Sequence, residues 1–87
     1  MTELPRDIRL KRIQMRATHR GMKEMDVIFG RFCTARLQGL DDATLDRFEA
    51  LMEENDQLLF AWVTGREPAA PEFADLVAQI TAVVTAR

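Results

Sequence analysis

The stretch His19-Arg20-Gly21-Met22-Lys23-Glu24 places a guanidinium, a bare backbone and a carboxylate within about one helical turn. Arginine can clasp a carboxylate through two parallel N–H donors. Glu24 can accept from donors on another molecule, or hold Arg20 from four residues away on a helical face. Gly21 removes the side chain that would keep a second backbone at a distance. Asp26 follows as another acceptor. Residues of these types recognise rather than react. The same residues also admit a plainer reading, in which Gly21 turns the chain and Arg20–Glu24 is a surface pair contributing about 0–1 kcal/mol.

Reactive chemistry is sparse elsewhere. His19 is the only histidine and Cys33 the only cysteine, and there is no tyrosine. One chain therefore cannot build a Cys/His zinc site or an internal disulfide, which fits a reducing compartment. Cys33 falls in an apolar helical pattern and reads as a small core residue. No glycine-rich phosphate loop is present. Asp41, Asp42 and Asp46 lack the twelve-residue spacing and central glycine of a calcium loop, and acids are common at helix starts. The expectation is an all-α protein with no catalytic residue, no metal ligand and no stably bound cofactor.

Five short helices and no strand follow from the apolar spacing. The first is expected over 6–18, with Pro5 in its first turn, Leu10, Ile13 and Ala17 inward and a basic outer surface. The second is expected over 22–38, ending at Gly39 as a C-terminal cap. Its wide apolar face (Met22, Met25, Ile28, Phe29, Phe32) makes it central. Asp41 or Asp42 starts the third, which buries Leu45, Phe48, Leu51 and Met52 and runs to about residue 54. Asn55 or Asp56 starts a fourth, with Leu58, Leu59, Trp62 and Val63 inward and Gly65 closing it. After a connection at 66–70, Pro71 opens the last helix, where Phe73, Leu76, Val77, Ile80, Val83 and Val84 line one side. Short connections make neighbouring helices pack side by side, so the product is a compact bundle. Trp62 reads as a core anchor, or alternatively as an exposed partner contact.

With 87 residues the chain makes one domain, 1–87, in which residues 1–5 are expected to be a flexible N-terminus. Its 47% apolar and 30% charged residues mark a folding chain rather than a disordered one. The net charge of −2 conceals an asymmetry. Residues 1–24 carry seven Lys/Arg against Glu3, Asp7 and Glu24, whereas 25–60 carry Arg31, Arg36 and Arg47 against eight acids. Either the two regions attract each other across the fold, or a basic face meets an acidic partner. No apolar run approaches the ~20 residues of a membrane span, and the N-terminus lacks the apolar core of a secretory signal. A bacterial-type cytoplasmic location is expected. Nucleic-acid binding needs convergent cations, and here they are spread around one helix of an otherwise acidic chain.

Arg20-Gly21-Met22-Lys23-Glu24, continued by Met25-Asp26, resembles the R-G-x-x-E motif of the SdhE family of succinate dehydrogenase assembly factors, also called FAD assembly or flavinylation factors. Leu58-Leu59-Phe60-Ala61-Trp62-Val63, with Gly65 and Pro68, is similar to that family's second signature. The resemblance covers roughly residues 8–84. His19 stands where many relatives have a second arginine, which lowers the local charge. The resemblance implies a five-helix chaperone, not an enzyme. Its partner would be the flavoprotein subunit of succinate dehydrogenase, or of fumarate reductase, and it would promote covalent attachment of FAD to a histidine of that subunit. The flavin then belongs to the client. It further implies that His19, Arg20, Gly21, Glu24 and Asp26 are partner-binding. No nucleic acid and no membrane insertion are expected, and a monomer is expected, with a dimer through the wide Met/Phe face of the second helix as the alternative. The remaining alternative is a small helical interaction or nucleic-acid-binding regulator of antitoxin type.

Overall fold

Local signals set where each helix begins. The structure is a computed structural model that describes residues 4–86. Pro5 occupies the N-cap of α1 (Arg6–Ala17). Of the expected loose N-terminus, residues 1–3 lie outside the described residues. Helix α2 (Lys23–Arg36) begins after an extended Met22. Asp41 caps α3 (Asp42–Leu51) by accepting from Thr44 N–H at 2.8 Å. Asn55 caps α4 (Asp56–Val63) by accepting from Gln57 N–H at 2.7 Å and Leu58 N–H at 3.3 Å. A 3-10 turn at Pro71–Phe73 leads into α5 (Ala74–Thr85). The all-α expectation holds: the described residues contain five α-helices and no strand.

Four expected boundaries differ, each for a local reason. Helix α1 stops at Ala17 with Thr18 as its C-cap, whose amide and hydroxyl both donate to the Gln14 carbonyl, at 3.1 and 2.9 Å. Helix α2 ends at Arg36, and the chain tightens into a 3-10 turn over Leu37–Gly39, which brings both Leu37 and Leu40 into the core. Gly39 is therefore not a left-handed cap. Helix α3 ends at Leu51 rather than 54: Met52, its cap, still bonds Phe48 four residues back, but the two amides after it bond three back, Glu53 to Ala50 and Glu54 to Leu51. The last helix opens with a 3-10 turn instead of a full α turn at Pro71. Gly65 does terminate α4, with φ of 79° and two closing bonds, Arg66 N–H to Ala61 O and Gly65 N–H to Trp62 O.

Helix α2 packs against α1, α4 and α5, the central position its wide apolar face requires. Phe29 and Phe32 of α2 each meet Phe48 of α3 edge to face, at centroid distances of 5.3 and 5.4 Å. Ile13, Ala17, Met25, Leu45, Leu51, Leu59, Leu76 and Ile80 complete the core. Trp62 is buried beside Phe73, which favours the core-anchor reading. Val83 and Val84 are only partly buried. Among the described residues no helix is long and apolar enough to cross a membrane.

Candidate functional site

The turn between α1 and α2 holds the motif, and Arg20 is its most constrained member. Its guanidinium reaches across the fold instead of outward. Nε donates to Asp56 Oδ1, while Nη1 and Nη2 donate to the Met52 and Glu54 carbonyls, each at 2.9 Å. The guanidinium carbon lies 5.5 Å from the Phe29 ring centroid, a cation–π arrangement. The side chain is only 13% exposed and that of Asp56 20%, so solvent screens this pair weakly. The cation thus meets carbonyls beyond the C-terminus of α3, and the anion sits in the first turn of α4, as the two helix dipoles favour. Arg20 occupies the carbonyls at the α3–α4 corner and pins that corner to the motif turn.

Asp26 works from the other side, its Oδ1 accepting from the Arg20 backbone N–H at 2.7 Å. Arg20 and Asp26 are therefore brought together. The Arg20–Glu24 pair expected from four-residue spacing does not form. Arg20 precedes the start of α2 at Lys23, so the two residues do not share a helical face.

His19, Gly21 and Glu24 face outward. His19 Nδ1 lies 2.8 Å from the Met15 carbonyl, so Nδ1 carries the proton and a neutral ring leaves Nε2 as an acceptor. Gly21 is exposed and its φ is not in the left-handed region. A Cβ added there would meet only Asp56 Oδ2, at an ordinary 3.8 Å. Packing and backbone geometry in the monomer do not demand glycine at this position. Glu24 is exposed and enters no ion pair among the described residues. The corner thus has a braced inner half and an open outer half.

Three arginines of α1 answer much of the question of charge asymmetry. Arg6 pairs with Asp42, Arg9 with Asp46 and Glu49, and Arg16 with Glu49 and Glu53. Arg6 Nη2 also donates to the Leu40 carbonyl at 2.6 Å. Much of the basic face is matched to acidic α3 inside the fold and is not arrayed for phosphates. Bonds to Asp46 and Glu49 raise the Arg9 pKa further, and the Thr44 bond lowers that of Asp41. Burial pushes the Cys33 thiol up to about 11, so it is no nucleophile at neutral pH. Among the described residues no group of three or more His, Cys, Asp or Glu could hold a metal ion.

Asp56 is the residue that sequence reasoning missed. It reads there as a helix start, and nothing in its neighbourhood announces a partner 36 positions away. The unmatched apolar residues on the outside of α1 were also missed.

The family model described as "Flavinator of succinate dehydrogenase" matches residues 11–84. The FAD assembly factor SdhE of Shewanella oneidensis is 42% identical over 65 residues, covering 74% of this chain and 79% of that protein. The FAD assembly factor SdhE of Legionella pneumophila is 33% identical over 61 residues, covering 70% and 77%. The mitochondrial succinate dehydrogenase assembly factor 2 of Mycosarcoma maydis is 33% identical over 69 residues, 79% of this chain but 29% of the fungal protein. The chain thus spans less than a third of that relative's length. Since the family match runs from within α1 to near the end of α5 and takes in the whole motif corner, the chain belongs to the flavinator of succinate dehydrogenase family.

Proposed function

We propose that this chain is an assembly factor, not an enzyme, which binds the flavoprotein subunit of succinate dehydrogenase and promotes covalent attachment of FAD to it. The observation that carries this reading is Gly21, an exposed residue whose missing side chain has no packing reason within the monomer, on a corner braced by Arg20. Close approach of a second backbone supplies the reason. His19, Gly21 and Glu24 make the direct contacts with the client, while Arg20 and Asp26 hold the corner in the shape the client meets.

A corner already braced before binding loses little conformational freedom on docking. The client's own histidine and flavin carry the chemistry, and this chain holds the client in the geometry in which they react. Alignment of that kind removes on the order of 7–11 kcal/mol from a barrier in the best intramolecular models. The flavin stays with the client and is not held by this chain. The chain acts as a monomer in the cytoplasm, and the flavoprotein subunit of fumarate reductase is a second client of the same chemistry. The matched charges of α1 and α3 weigh against the nucleic-acid alternative, since several of the cations it needs are already paired.

The test is co-expression of the flavoprotein subunit alone, with this chain, and with its Gly21→Arg variant. Covalent flavin is read as fluorescence of the denatured subunit in a gel. The intact chain should raise the signal and Gly21→Arg should not, although its melting temperature stays close to that of the parent. Equal fluorescence with and without the chain would overturn the function. Unfolding of the variant would instead make Gly21 structural.

A further inference from the structure

Large apolar residues left exposed are not scattered over this protein. Among the described residues they are Leu4, Ile8, Met15 and Val27, and none lies on α3, α4 or α5. Ile8 and Met15 recur with Lys11 and Arg12 at three- and four-residue spacing, so all four share one face of α1. Arg9 and Arg16 lie to one side of it and are turned to the acids of the α3 region, Arg9 to Asp46 and Glu49, Arg16 to Glu49 and to Glu53 just past α3. Lys11 and Arg12 are exposed and enter no ion pair among the described residues. An apolar stripe with two unmatched cations is therefore left over after the bundle has closed.

The stripe runs into the motif corner. The Met15 carbonyl accepts from His19, and Met15 itself is 66% exposed. Gln14 and Thr18, on either side of Met15 in the chain, line an open groove of about 500 Å³ together with Asp26 and Val27 of α2. Exposed Met15 thus adjoins exposed His19 at the edge of the corner, and Val27 borders the groove between α1 and α2.

We propose that this stripe is the second half of the client-docking surface, in which Ile8 and Met15 enter an apolar depression on the flavoprotein subunit and Lys11 and Arg12 face carboxylates at its rim. This rests on the function proposed above and says which chemistry the client must present beside the corner. Two observations favour a protein over an anionic lipid surface. Surface attraction to lipid calls for clusters of about 4–8 Lys/Arg, and here three arginines of the same helix are tied to α3. The stripe is also continuous with a corner whose bare glycine suits a close backbone contact. Lipid has no use for such a contact.

The experiment measures binding of the full chain to the purified flavoprotein subunit by biolayer interferometry. The double variant Ile8→Glu/Met15→Glu should bind about tenfold more weakly or worse, chiefly through faster dissociation. Its melt should stay close to the parent's, because neither residue belongs to the core. Lys11→Glu/Arg12→Glu should slow association and flatten its dependence on salt. The stripe is excluded if the Ile8/Met15 variant binds as tightly as the parent while Gly21→Arg does not bind, and the corner then stands alone. It is also excluded if the parent sediments with phosphatidylcholine vesicles containing phosphatidylglycerol, and the apolar substitutions abolish that binding while leaving client affinity intact. A parent chain that binds no flavoprotein subunit at all defeats the function itself and this surface with it.

Discussion

Arg20 and Arg9 each reach a carboxylate more than thirty residues away in the chain, yet the two contacts differ in what surrounds them. Arg20 is 13% exposed, touches two carbonyls and lies over Phe29. Arg9 is 24% exposed and its partners Asp46 and Glu49 are 74% and 33% exposed. Similar charges therefore perform different tasks. At the corner, low exposure and fixed carbonyls make the arginine a structural pin that defines one geometry. Along the α1–α3 seam, water and salt compete for the same groups, and the pairs orient two helices without locking either. The difference explains how a small bundle can present one rigid corner on an otherwise ordinary surface.

The contrast can be broken most directly at Arg20. Arg20→Ala should lower stability by about 2–3 kcal/mol in urea unfolding, since Asp56 and two carbonyls are left half-buried without their donor. A loss no larger than that of a seam arginine would abolish the distinction. The double variant Arg9→Ala/Arg16→Ala should cost less, about 1–2 kcal/mol at low salt. Most of that difference should vanish at high ionic strength, whereas the Arg20 effect should persist. Gly21→Ala should sharpen the comparison within the corner itself. Its stability should equal the parent's or exceed it by up to about 1 kcal/mol, because the added methyl fits. Client binding should still weaken.

The smallest effect concerns acid. Asp41 has a pKa below its ordinary 3.8 because of the Thr44 bond. A carboxylate lowered in the folded state stabilises above its unfolded value and loses that contribution as pH falls through the folded one. Asp41→Asn can still accept from Thr44 but does not titrate. Its stability should therefore vary less than the parent's as pH drops below about 3.8, read from melts at a series of pH values.

Much of the architecture was legible in local patterns. Apolar spacing located all five helices and nearly all core residues, and Asp41, Asn55 and Gly65 marked helix ends by side-chain oxygen or backbone freedom. Where expectation and structure part, a distant or a competing group decided. Thr18 caps α1 with its amide and hydroxyl on one carbonyl, and the buried Leu37 and Leu40 accompany a tightened end to α2. The carbonyls just past α3 are held by an arginine from another turn. No propensity contains that information. In the motif, residue types were plain but orientation was not. Four-residue spacing suggested Arg20–Glu24, which presumes a helix that has not yet begun at Arg20.

The order of amino acids alone determined the helical class, the apolar faces, the scarcity of reactive groups and the motif corner. Each of these follows from periodicity, side-chain chemistry or residues adjacent in the chain. Only the tertiary structure decided that Arg20 points inward to Asp56, that Glu24 and Gly21 remain open, and that the basic helix divides into a matched face and an unmatched one. Those outcomes depend on which helices become neighbours. Burial and distance then choose, among several acids of equal charge, the one that each cation meets.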